Sequence, residues 1–223
     1  MSPVMPYDAI FCLAHVWQST AAPNGLGWSC CTAFAVEAST GPLVVSCSHT
    51  LEATARAHPH DAISLVIARD GTVWPVARIV ASLLHYDLIV CDLGAALAGD
   101  GRLRTAPLDL HPAHHGTSIS YPIYGEDSWT TGQVIQYRDP LGLEAHVGTH
   151  DELASMDILP VPLPGCSGAP VIAVDTGAVV GLVRGSRLGH SDRRRLGFAT
   201  PTEALLELFG LPGFVPHSQR AAR

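Results

Sequence analysis

Apolar and β-branched residues come in short runs separated by turn residues, which is the pattern of an all-β chain. The spans 9–16, 32–38 and 42–47 read as strands, with Ser39-Thr40-Gly41 as the turn between the last two. Spans 63–68 and 72–80 flank Arg69-Asp70-Gly71, and an Asp-Gly pair between apolar runs is a strong hairpin signal. A run at 88–93 completes a first group of strands. From 94 to 116 the periodicity is lost among Gly99-Asp100-Gly101, Pro107 and Pro112, and this stretch reads as a connector. A second group follows at 117–123, 131–138, 143–147, 155–159, 170–174, 178–183 and 196–200, with Asp175-Thr176-Gly177 turning one pair.

One helix is predicted, at the end. Thr200 suits its N-cap and Pro201 its first position, and Glu203 stands three residues after the cap to close a capping box. Leu205, Leu206, Leu208 and Phe209 supply an apolar face, and Gly210 stops it. The expected plan is two β-barrels and a terminal helix, divided into 1–105 and 106–223.

Composition narrows the function classes. The formal charge of −7 and the lack of any basic stripe beyond Arg193-Arg194-Arg195 argue against a nucleic-acid partner, since phosphate binding needs clustered positive charge. Pro3, Pro6, Asp8 and His15 interrupt the apolar residues at the start, so no secretory signal is read there. No stretch is apolar over the roughly 18 residues a membrane helix needs. The expectation is a soluble cytoplasmic protein with no membrane partner. Its six cysteines (Cys12, Cys30, Cys31, Cys47, Cys91 and Cys166) then serve mainly as small buried apolar groups. His58 and His60, and separately His111, His114 and His115, have no cysteines at ligand spacing and read as loop residues. No metal and no cofactor is expected.

The chemistry is concentrated in three places. Pro164-Gly165-Cys166-Ser167-Gly168-Ala169-Pro170 precedes the apolar run Val171-Ile172-Ala173-Val174. Glycines on both sides of a serine permit a tight turn that exposes its hydroxyl and aims backbone N–H groups at a developing oxyanion. By itself this segment is equally well read as an ordinary Gly-Pro loop. A serine nucleophile needs a base, and among twelve histidines His49 stands out because it follows the apolar strand Leu43-Val44-Val45-Ser46-Cys47. A carboxylate must then orient the imidazole. Asp87, at the entry of Leu88-Ile89-Val90, is costly to bury without a partner, and Asp92 at the far end of that strand competes for the role.

These segments resemble the motifs of trypsin-like serine peptidases. Val44-Val45-Ser46-Cys47-Ser48-His49 is similar to V-L/V-T-A-A-H, Asp87-Leu88-Ile89-Val90 to D-I/L-A-L/V, and Gly165-Cys166-Ser167-Gly168-Ala169-Pro170 to G-D/N-S-G-G-P. The order His, Asp, Ser is that of the chymotrypsin type. Thr131-Gly132-Gln133-Val134 and Val180-Gly181-Leu182-Val183 resemble strands of the second barrel. Gly197-Phe198-Ala199-Thr200-Pro201 resembles the G-F-A-I-P segment of HtrA-like and bacterial-type members. The resemblance implies two six-stranded antiparallel β-barrels of chymotrypsin-like form with a C-terminal α-helix. It implies a serine endopeptidase acting on protein or peptide substrates, with Ser167 as nucleophile, His49 as general base and then acid, and Asp87 as orienting carboxylate. The backbone N–H groups of Gly165 and Ser167 would form the oxyanion hole.

The departures from the family pattern are informative. Cys166 stands where secreted members carry the aspartate that pairs with a freshly cut N-terminus, so that activation route is not expected and HtrA-like members without a PDZ domain are the better analogy. Some viral relatives use cysteine as nucleophile, but there glycine follows it directly, whereas Ser167 follows Cys166. Thr50 replaces the cysteine usual after the histidine. By analogy Val161, Val183, Arg184 and Gly197 line the specificity pocket; its apolar wall suits a modest apolar side chain, while Arg184 or Arg187 would instead select an acidic one. The competing reading is a latent or inactive peptidase-fold module that binds or regulates a protein partner.

Overall fold

The computed structural model describes residues 7–38, 41–57, 62–83, 86–94, 103–108, 113–126, 129–138, 155–188 and 195–205. In the first half lie β1 (Ile10–Gln18), β2 (Leu26–Ala38), β3 (Gly41–Ser46), β4 (Ile63–Ile67), β5 (Val73–Pro75), β6 (Arg78–Leu83) and β7 (Leu88–Asp92). They form a seven-stranded sheet in the order β5-β4-β1-β2-β3-β7-β6. In the second half lie β8 (Ser118–Pro122), β9 (Trp129–Arg138), β10 (Ser155–Leu159), β11 (Pro170–Ala173), β12 (Val179–Leu188) and β13 (Arg195–Pro201). They close into a barrel, β10-β13-β12-β11-β8-β9. All pairings between these strands are antiparallel.

The Asp-Gly turn forms where the sequence placed it. Gly71 takes φ +85°, a backbone shape closed to most side chains, and Thr72 N–H donates to Asp70 Oδ1 at 2.8 Å. Strands that read as unbroken apolar runs do so because both of their faces are covered. In β11, Val171 and Ala173 point into the barrel core while Ile172 joins the core of the first sheet. In β12, Val180 and Val183 line the barrel, whereas Val179 and Leu182 pack against the first sheet with Phe11, Phe34 and Val45. The two halves therefore meet along an apolar seam. The segment between them crosses it, with Ala106 N–H donating to Ala35 O and Val179 N–H to Pro107 O.

Several expectations are corrected. The first half is not a closed six-stranded barrel: 72–80 divides into β5 and β6, and these two edge strands do not pair with each other. Past Pro75, Val76 N–H donates to Ser64 O beside β4 and Ala77 N–H to Asp92 O at the end of β7, so the chain passes from one edge strand to the other at these two residues. The terminal helix does not start at Thr200. Thr200 pairs with Leu182 in β13, and its hydroxyl donates to Tyr86 O at 2.6 Å instead of capping a helix. Strand pairing and a buried hydroxyl bond outweigh the local capping signal. A single 3-10 turn, Thr202–Leu205, follows; the residues beyond it, and the strand expected at 143–147, lie outside the described residues. Finally, His49 begins a helix, α1 (His49–Ala57), that the strand pattern did not announce.

Candidate active site

Asp87 is the anchor of the site. It occupies the turn before β7 and is the only non-glycine residue with positive φ among the described residues, at +53°. Aspartate tolerates this conformation better than most side chains. Oδ1 accepts hydrogen bonds from Ser48 N–H at 3.0 Å and His49 N–H at 2.8 Å, and Ser48 Oγ lies 3.1 Å from it, its one hydrogen shared between this oxygen and Glu52. Those N–H groups stand at the start of α1, where unpaired donors and the helix dipole favour an anion. Oδ2 accepts the ring Nδ1 of His49 at 2.7 Å. Burial works to raise the carboxyl pKa, but the bonds from the His49 ring and backbone, with the nearby Arg184 charge, hold it below the usual range.

His49 is set by the same contacts. Bonding to the Asp87 carboxylate raises its pKa above the ordinary value of 6.5, against burial and the Arg184 charge, which lower it. An ionised Asp87 fixes the proton on Nδ1 and leaves the Nε2 lone pair to act as a base. Nε2 lies 3.8 Å from Cys47 Sγ. Asp92, the competing carboxylate, is instead held by Arg78 Nε at 2.9 Å and Gly94 N–H at 2.7 Å, on the opposite end of β7.

The Ser167 loop is tied to the first sheet by Thr32 of β2. Thr32 N–H donates to Ser167 O at 2.8 Å, and Thr32 Oγ1 donates to Gly165 O at 2.7 Å. Gly168 adopts φ +82°, and a Cβ there would overlap Thr32 O and Ser46 Oγ, so both torsion and space demand glycine. Gly168 N–H bonds Val183 O at 2.7 Å, and Ala169 N–H bonds Cys166 O at 2.8 Å. The N–H groups of Gly165 and Ser167 donate to no group among the described residues. Ser167 Oγ donates to Arg184 O at 3.2 Å rather than to His49. Thr32, Ser48 and Thr200 position this site through partners far along the chain; Ser48 and Thr200 lie inside motifs quoted above without these bonds being legible there, and no motif marks Thr32.

The pocket candidates do not behave alike. Val161 is half-buried. Val183 is fully buried in the barrel core, so its side chain cannot line an open pocket. The guanidinium of Arg184 turns to Asp87, with Nε 3.7 Å from Oδ2, instead of toward a substrate acid. Gly197 is covered, since Pro162 and Ile158 occupy the space a Cβ would enter. Arg187 belongs to β12, and its side chain is outside the described set. His114 and His115 are exposed, and His58, His60 and His111 lie outside the described residues. No group of three or more metal-ligating side chains occurs among the described residues.

All six thiols are free, and every one except Cys30 is buried. Cys31 Sγ contacts Ser46 Oγ at 3.1 Å, and burial pushes the Cys166 thiol up, which makes it a poorer nucleophile than its place beside Ser167 suggests.

Residues 31–182 match the family model of the trypsin-like peptidase domain, a span running from β2 into β12 that takes in His49, Asp87 and Ser167. A search of curated proteins finds no match.

Proposed function

This chain belongs to the trypsin-like peptidase family, and from that premise we propose that it is a serine endopeptidase of the HtrA-like type, with Ser167, His49 and Asp87 as its triad. The observation that carries the proposal is the His49–Asp87 pair, an imidazole bonded at 2.7 Å to a carboxylate seated on a helix start, beside a serine loop with two unused N–H donors. In the first step Ser167 Oγ attacks the scissile carbonyl carbon while His49 Nε2 takes the hydroxyl proton. The N–H groups of Gly165 and Ser167 bind the resulting oxyanion, and removing one such donor typically costs about 10²–10³ in rate. Collapse of the intermediate breaks the C–N bond, and His49 returns its proton to the leaving amine. Water then attacks the acyl-enzyme, His49 accepts its proton, and the acid product leaves as Ser167 recovers its hydrogen.

Covering of Gly197 by Pro162 and Ile158 supports a shallow pocket and a small apolar residue before the cut. The position of the Arg184 guanidinium argues against selection of an acidic one. A peptide library incubated with wild type and Ser167→Ala tests both points: cleavage after small apolar residues by wild type alone is expected, and cleavage retained in Ser167→Ala overturns the assignment.

One observation favours a second reading, a latent peptidase-fold module governed by a protein partner. Ser167 Oγ is engaged with Arg184 O, and His49 Nε2 faces Cys47 Sγ. Attack requires Ser167 to leave that carbonyl and turn to Nε2. Such loose geometry is common before substrate binds. Burst kinetics with an activated ester separates the two: prompt acylation supports the enzyme, and acylation only after a partner is added supports the latent module.

A further inference from the structure

The side chain of Arg184 takes no part in the steps above, yet it lies inside the site. Its side chain is 12% exposed beside an 11% exposed Asp87, with Nε 3.7 Å from Oδ2. Its Cζ also lies 5.1 Å from the centroid of the Phe198 ring. A planar guanidinium suits both neighbours, a carboxylate edge and an aromatic face. The main chain of the same residue holds the nucleophile, because Arg184 O accepts Ser167 Oγ at 3.2 Å. Its neighbour Val183 binds the two residues that directly follow Ser167, accepting from Gly168 N–H at 2.7 Å and donating to Ala169 O at 2.8 Å. One strand residue thus reaches the acid with its side chain and the nucleophile with its backbone.

We propose that Arg184 is a positioning residue of the peptidase site, bracing Oδ2 of Asp87 with its guanidinium while its carbonyl docks Ser167. The inference rests on the triad reading given above. It has a consequence that simple packing would not have. Oδ2 faces both the His49 Nδ1–H and the Arg184 guanidinium, so the arginine charge opposes the build-up of imidazolium on His49. Among the described residues, the other groups facing His49 are few. Asp87 favours the imidazolium, Cys31 of β2 acts in the same sense, Cys47 after β3 contacts Nε2, and Glu52 of α1 accepts Ser48 Oγ at 2.9 Å. Arg184 is the cation in that set. Without it the carboxylate would hold the imidazolium more tightly, and less free base would exist at a given acidic pH.

The test compares wild type, Arg184→Gln and Arg184→Lys by two readouts. The first is NMR titration of the His49 ring, assigned by its loss in His49→Gln, which needs no turnover. The second is the pH profile of kcat/KM. In Arg184→Gln the His49 midpoint is expected to move to higher pH, and kcat/KM at pH 6 to fall about threefold or more beyond any change in the alkaline plateau. Arg184→Lys keeps the cation and is expected to hold the wild-type midpoint. An unmoved or lowered midpoint in Arg184→Gln overturns the inference, as does a lysine variant that shifts as far as glutamine. If Arg184→Gln does not fold, the lysine midpoint decides: a match with wild type supports the inference, and a clear rise overturns it. A wild type that titrates as expected but never acylates counts against the triad reading alone.

Discussion

Asp87→Asn is the most informative single substitution, because the structure says which half of the new amide must face His49. Two backbone donors converge on Oδ1, Ser48 N–H and His49 N–H. An asparagine keeps its carbonyl oxygen there, so its NH₂ takes the place of Oδ2, 2.7 Å from the imidazole Nδ1. Two donors cannot share that contact. The ring must shed its Nδ1 proton and carry it on Nε2, the tautomer that cannot accept from Ser167. In serine triads generally this error lowers kcat by about 10⁴, or about 5 kcal/mol of barrier at ~1.36 kcal/mol per decade. The loss of an anion at the start of α1 should also lower stability by about 1 kcal/mol. The assay is pre-steady-state acylation by an activated ester, run beside a urea melt. A folded Asp87→Asn that acylates within tenfold of wild type would refute the tautomer argument and the role of Asp87 with it.

Other outcomes follow from the same contacts. Gly168→Ala should cost about 2 kcal/mol or more and slow acylation, because the new methyl meets Thr32 O and Ser46 Oγ at φ +82°; a denaturant midpoint equal to wild type would contradict this. Thr32→Val removes the hydroxyl that holds Gly165 O at 2.7 Å and should lower kcat about tenfold with stability reduced by only about 1 kcal/mol, read from paired kinetics and melts. His15 is buried against Ser64 Oγ at 2.9 Å, and desolvation lowers its pKa from 6.5 to about 4. The unfolded chain therefore binds its proton first as pH falls, so stability is full above pH 6.5 and declines toward pH 4, by up to about 3 kcal/mol. Melts of His15→Gln across that range should show a flatter decline.

What could be read in the sequence was whatever is written locally. Most of the strands, the Asp70-Gly71 turn and the segments carrying His49, Asp87 and Ser167 are local patterns. The split at Pro75 was missed because the apolar run continues past it, and only pairing shows that β5 and β6 lie at opposite edges of the sheet. Helix α1 was missed because His49-Thr50-Leu51-Glu52 carries little apolar periodicity; what starts it is the carboxylate of Asp87, distant in sequence. The capping signal at Thr200 was overridden by its pairing with Leu182 and its bond to Tyr86 O. The pocket was the least legible part. Whether Val183 or Arg184 faces substrate depends on the bulge between Val183 and Gly185 and on what covers Gly197, neither of which has a local signature.

The central claim is that Ser167 is a nucleophile activated by His49, and adduct mapping tests it most directly. Wild type, Ser167→Ala and His49→Gln are treated with a fluorophosphonate, digested and mapped by mass spectrometry. The account predicts a single adduct on Ser167 in wild type, none in Ser167→Ala, and labelling slowed by orders of magnitude in His49→Gln. An adduct on another residue, or equal labelling with and without His49, would contradict it.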